Sequence, residues 1–173
     1  MIKTLGTVAG IVIATSASAQ TLFHTFDMTG LVSEGGFGTN FPTLTHDFGV
    51  AGVVVAVEWD VSYESFDPSW NSEAQIAIDT NDDASFDADI DPSLFGAPDS
   101  SGVFAYFGSI GANTISSDGL VFLTTYESFD DASSTPDALY RQGFVRVTYR
   151  AVPAPGALAA FGAMGLVVTR RRR

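Results

Sequence analysis

From Val53 to Glu64 the chain alternates without a break. Val53, Val55, Val57, Trp59, Val61 and Tyr63 take one set of positions, and Glu58, Asp60, Ser62 and Glu64 take the other. Residues two apart share a face only in an extended chain, so the stretch predicts a long β-strand with one dry and one wet surface. Shorter alternations follow. Ala74, Ile76 and Ile78 interleave with Gln75 and Asp79. Leu120, Phe122, Thr124 and Tyr126 make a third set, and Val145, Val147 and Tyr149 interleave with Arg146 and Arg150. Two weaker strands are expected near Leu22 to Met28 and Val103 to Phe107.

Residues 20–150 carry no helical stripe. Their punctuation is turn chemistry: Gly35-Gly36-Phe37-Gly38, Asp67-Pro68, Asp91-Pro92 and Asp118-Gly119. One-sided strands with no helix to cover them must cover each other. The expected fold is therefore all-β, a two-sheet antiparallel sandwich of jelly-roll type. Its core would draw on 14 Phe, 5 Tyr and 2 Trp, and it must hold without disulfides, because the chain has no cysteine.

The two ends read as addresses. Lys3 precedes an apolar run from Leu5 to Ala14, and small residues follow, with Ala17 and Ala19 in an Ala-x-Ala arrangement. This is the pattern of a secretory signal peptide over residues 1–19, cut after Ala19. At the other end Val152-Pro153-Ala154-Pro155-Gly156 leads into Ala157 to Val168, which carries no charge, and then to Thr169, Arg170, Arg171, Arg172 and Arg173. Gly156 to Val168 would span roughly 20 Å as a helix, against about 30 Å of hydrocarbon. It is thus a short transmembrane segment whose arginines stay cytoplasmic. The expected organisation is a signal over 1–19, an acidic β domain over 20–150 and a sorting segment over 151–173.

The tail resembles the PEP-CTERM sorting signal of bacterial secreted proteins, which combines a Pro-Glu-Pro-like motif, a transmembrane stretch and terminal arginines. Ala154 stands where that family usually has Glu. The resemblance implies an exosortase-type processing enzyme and the membrane as partners, and a final place at the cell surface or outside the cell. A second resemblance lies in the middle of the chain. Trp70-Asn71-Ser72-Glu73-Ala74 and Phe129-Asp130-Asp131, followed by Pro136-Asp137-Ala138-Leu139-Tyr140, look like segments of secreted sandwich domains similar to the jelly-roll accessory domain of proprotein convertases. This implies a fold and no activity.

Charge narrows the partners. The chain carries −12 overall, yet Lys3 and the four terminal arginines sit outside the middle. Arg141, Arg146 and Arg150 alone then face all 20 acids, so the middle carries −17. Such a surface repels phosphate backbones, and no nucleic-acid partner is expected.

The best candidate for chemistry is the run from Asp79 to Asp91. Asp79, Asn81, Asp83, Ser85 and Asp87 fall at alternate positions, with Asp89 beyond, as a calcium loop would place its oxygens. Ala84 stands where an EF-hand needs Gly, and Ile90 where it needs Glu, so a true EF-hand is excluded. A looser calcium loop and a plain solvated acidic loop are the two readings. An exact echo adds a second idea. Tyr63-Glu64-Ser65-Phe66-Asp67 recurs as Tyr126-Glu127-Ser128-Phe129-Asp130. Each copy ends a strand with its Tyr expected on the buried side. The bland reading is a shared corner solution. The sharper one gathers Glu64, Asp67, Glu127, Asp130 and Asp131 into a cation site at one end of the sandwich.

His24 and His46, each near an acid (Asp27, Asp47), are too few for a zinc site and read as ordinary turn or surface residues. The chain has no Gly-x-Ser-x-Gly elbow, phosphate loop or lysine past Lys3, so catalysis is not expected. Two functional readings result. One is a non-catalytic surface or extracellular-matrix protein, stiffened by calcium. The other is a carbohydrate-binding jelly-roll module, for extracellular polysaccharide, with Trp70, Tyr106 or Tyr140 as its platform.

Overall fold

The structure, a computed structural model, describes residues 19–36, 43–81, 86–130 and 136–152. The signal segment up to residue 18 and the tail from Pro153 lie outside the described residues, as do Asp83, Ser85 and Asp131. Among the described residues no helix is long and apolar enough to cross a membrane.

The elements are β1 (Thr21–Asp27), β2 (Val32–Ser33), β3 (Thr43–Asp47), β4 (Gly52–Ser65), β5 (Ala74–Asp79), β6 (Ala88–Ile90), a 3₁₀ turn (Pro92–Phe95), β7 (Gly102–Ser116), β8 (Leu120–Glu127) and β9 (Ala138–Ala151). One sheet has the order β1-β9-β4-β7, with β2 also on β9, and the other has the order β3-β8-β5-β6. All of these strand pairings are antiparallel. The pairs β1·β9, β3·β8, β4·β7 and β5·β6 are those of one long hairpin folded over on itself, while β4·β9 and β5·β8 close the two sheets. That arrangement is a jelly roll. The sandwich expected from alternation is present, and the strands near 103 and 145 extend well beyond their apolar cores.

Alternation on β4 holds with one correction. The register slips between Val54 and Ala56, where a β-bulge changes which residues face inward. Val57, Trp59, Val61 and Tyr63 are buried as expected, whereas Val54 takes the inner position in place of Val53 and Val55. The core between the sheets joins these to Ile76, Ile78, Val121, Leu123, Tyr140, Val145 and Tyr149. All members lie within Gln20–Val152, which forms one compact unit with a complete core. At Gly143 the backbone of β9 passes so close to β4 that an added Cβ would lie 2.2 Å from the Asp60 carbonyl oxygen. Its φ of 123° also favours glycine.

Candidate functional site

The acidic loop after β5 is held by its own hydrogen bonds. Asp79 Oδ1 accepts from the Asn81 N–H at 3.0 Å, an Asx turn. Asp87 Oδ2 accepts from the Thr80 N–H at 2.7 Å and from the Thr80 hydroxyl at 2.5 Å. Asp89 lies on β6, where its Oδ1 accepts from the Tyr126 hydroxyl at 3.0 Å. Burial raises the Asp89 carboxyl, nearby Asp91 adds to the shift, and the Tyr126 bond opposes it. Among the described residues no three His, Asp or Glu side chains gather closely enough to hold a metal ion.

The repeated pentapeptide occupies opposite registers. Tyr63 points into the core and Glu64 outward, where it pairs with Arg141. On β8 the order is reversed. Glu127 pairs with Ala74 on the core face, and Tyr126 pairs with Gln75 on the outer face, stacked on Phe86 with ring centroids 5.0 Å apart. Both tyrosines are buried, as expected, but they do not share a core-facing register: pairing to different neighbours shifts parity by one residue and turns Glu127 inward on β8. Glu64 and Glu127 consequently belong to different surfaces. The two histidines turn away from their neighbouring acids. They stack on each other from β1 and β3, centroids 3.6 Å apart, while Asp27 and Asp47 accept the N–H groups of Thr29 and Gly49.

Glu127 is a buried acid. It is 1% exposed, and neither carboxyl oxygen has a hydrogen-bond partner among the described residues. Burial pushes its pKa up to about 8, and Asp137, Glu73 and Asp130 push the same way. The Ser33 hydroxyl opposes the shift, yet it too lacks a hydrogen bond of good geometry. The backbone of Glu127 is secured by donation of its N–H to the Gly35 carbonyl at 3.0 Å.

On the surface lies a site with two exposed aromatics, Trp70 and Phe129. The turn after β4 is pinned from several sides. Tyr63 donates its hydroxyl to the Asn71 carbonyl, the Ser65 hydroxyl donates to Asn71 Oδ1 at 3.0 Å, and the Ser69 hydroxyl donates to Asp137 Oδ1 at 2.8 Å. The Phe66 N–H donates to the Asp137 carbonyl at 2.8 Å and the Asn71 N–H to the Ser100 carbonyl at 3.0 Å. On this fixed turn Trp70 is 44% exposed. Its N–H donates to Glu73 Oε2 at 2.9 Å. The Ser128 N–H donates to the Glu73 carbonyl at 3.0 Å, which brings the start of the next loop alongside with Phe129 63% exposed. Pro68, Trp70, Glu73 and Phe129 line an open pocket of about 580 Å³.

Of the three aromatics expected as platforms, only Trp70 faces solvent. Tyr106 and Tyr140 are buried in the core, which corrects that expectation. Phe129 was not singled out by sequence, since nothing local marks a lone Phe after a strand as the partner of a distant Trp.

No known protein family and no curated protein matches the chain. Solved structures similar to it include dimeric latent PorU from Porphyromonas gingivalis, 12% identical over 84% of this chain, with a TM-score of 0.40. This chain spans only 14% of the PorU chain. The infectious bursal disease virus VP2 subviral particle is 14% identical over 91% of this chain and 39% of its own, with a TM-score of 0.35. Tomato aspermy virus is 10% identical over 87% of this chain and 90% of its own, with a TM-score of 0.28.

Proposed function

We propose that this chain is an exported, non-catalytic jelly-roll module that binds a neutral polysaccharide on the Trp70–Phe129 platform. The observation that carries the reading is an exposed Trp on a hydrogen-bonded turn, lining one pocket with a second exposed aromatic, Phe129, and with Glu73. The C–H faces of sugar rings stack on such aromatic surfaces, and a carboxylate accepts hydrogen bonds from their hydroxyls. A platform that does not reorganise loses little entropy on binding. The strongly acidic domain disfavours anionic glycans, and stacking on an aromatic face requires no charge on the sugar.

The ends supply the address in this reading. A signal peptide ending at Ala19 sends the domain across the membrane. The Val152 to Gly156 motif, the apolar run and the terminal arginines act as a PEP-CTERM-type signal, recognised by an exosortase-type enzyme, and leave the module at the cell surface or in the extracellular matrix. Calcium belongs to the same reading at the loop carrying Asp79, Asn81, Asp83, Asp87 and Asp89. A chelator would lower the melting temperature if the native loop binds the ion, and an unchanged melting curve removes calcium from the proposal.

Electrophoresis of Gln20–Val152 through gels containing neutral polysaccharides tests the platform. Retardation is expected with at least one of them, lost in Trp70→Ala and Phe129→Ala and kept in Phe107→Ala. Absence of retardation, or retardation indifferent to Trp70→Ala, overturns the proposal.

A further inference from the structure

Sheets end in edge strands whose unpaired N–H and C=O groups invite another strand, and natural proteins blunt them with shortness or charge. Three of the four edges here follow that rule. β1 has 7 residues and ends in Asp27, β3 has 5 and ends in Asp47, and β6 has 3 and contains Asp89. β7 breaks it. It is the terminal strand of its sheet, has 15 residues, and contains no charged residue and no proline. Among the described residues no strand pairs with its outer side. Val103 is 69% exposed and Phe107 is 79% exposed. At the far end the Thr80 hydroxyl donates to the Ile115 carbonyl at 3.2 Å, and the register breaks beyond Gly111. The regular open edge is therefore Gly102–Gly111.

We infer that this edge pairs with the same edge of a second copy, antiparallel, to join two sandwiches through one continuous sheet. Charge restricts where two copies can meet. Two domains of −17 repel wherever their acids approach, and two of the domain's three arginines are already tied to Glu64 and Glu58. The uncharged β7 edge is the long strand along which two such copies can meet without opposing carboxylates. An antiparallel strand is also complementary to itself, because a two-fold axis matches each donor to an acceptor. A register centred near Phe107 keeps both core faces on the same side and brings the two exposed Phe rings together on the outer surface.

Sedimentation equilibrium of Gln20–Val152 from about 1 μM to about 1 mM tests the inference. A reversible dimer is expected, tightened by added salt as the repulsion is screened. Phe107→Asp opposes two carboxylates at the symmetry axis and should weaken the dimer about tenfold or more. Phe23→Asp, at an exposed site on the other edge strand of the same sheet, adds the same charge and should leave the dimer intact. Thermal melts establish that both variants are folded. A wild-type domain that stays monomeric at high salt, including one that takes up only a foreign strand peptide, overturns the inference. So does a dimer equally tolerant of Phe107→Asp and Phe23→Asp.

Discussion

Trp70 and Glu73 hold each other: the Trp70 N–H donates to Glu73 Oε2 at 2.9 Å, and the Glu73 N–H donates back to the Trp70 carbonyl at 3.2 Å. Both bonds are made by the main chain of Trp70, so the reciprocal pair fixes the backbone from which the indole projects. The side-chain half of it resembles the way an acid caps a helix start.

Replacing Glu73 with Ala removes that acceptor from a turn whose carboxylate is largely buried. A stability loss of about 1–2 kcal/mol is expected from the lost charged hydrogen bond. Glycan retardation should fall further than that loss explains, because the platform loosens as well. Denaturant melts and gel electrophoresis of the same variant separate the two effects, and unchanged retardation would count against the positioning role.

Glu127 should make the fold less stable as pH rises. Its folded pKa, raised to about 8, lies above the ordinary value of 4.5, so the native state holds a proton that the unfolded chain releases first. The penalty is absent below about pH 4.5, grows through the window up to pH 8, and levels off above it at about 5 kcal/mol or less. His24 acts in the other sense. Burial, with repulsion from His46, lowers its pKa from 6.5, so its effect costs stability only as pH falls below that value. Glu127→Gln should therefore flatten the loss between about pH 4.5 and pH 8 and leave the acid-side effect of His24 in place. A pH series of chemical melts with the same slope in both proteins would disprove it.

Gly143→Ala should be among the most damaging small changes in the sheet. Its Cβ would sit 2.2 Å from the Asp60 carbonyl oxygen and 2.6 Å from Val61 Cα, at a φ that L residues avoid. A loss of about 2–4 kcal/mol is expected. Gly111→Ala is the matched control on β7, at the other side of β4 in the same sheet. Its Cβ would meet nothing within 4 Å, and the change should stay within about 0.5 kcal/mol.

What the sequence determined alone was the class of fold. Period-two burial is written into Val57, Trp59, Val61 and Tyr63 because a strand with one buried face must repeat every second residue, whatever it packs against. Turn residues between the strands then leave little besides a sandwich. Parity and proximity came only from tertiary structure. A bulge at Val55 exchanged the inward positions of β4, and ladder pairing gave the identical pentapeptides opposite faces, leaving Glu127 in the core and Glu64 on an arginine. Trp70 and Phe129 line one pocket where the Ser128 N–H reaches the Glu73 carbonyl. Such a contact depends on which strands lie side by side, and no local spacing records that.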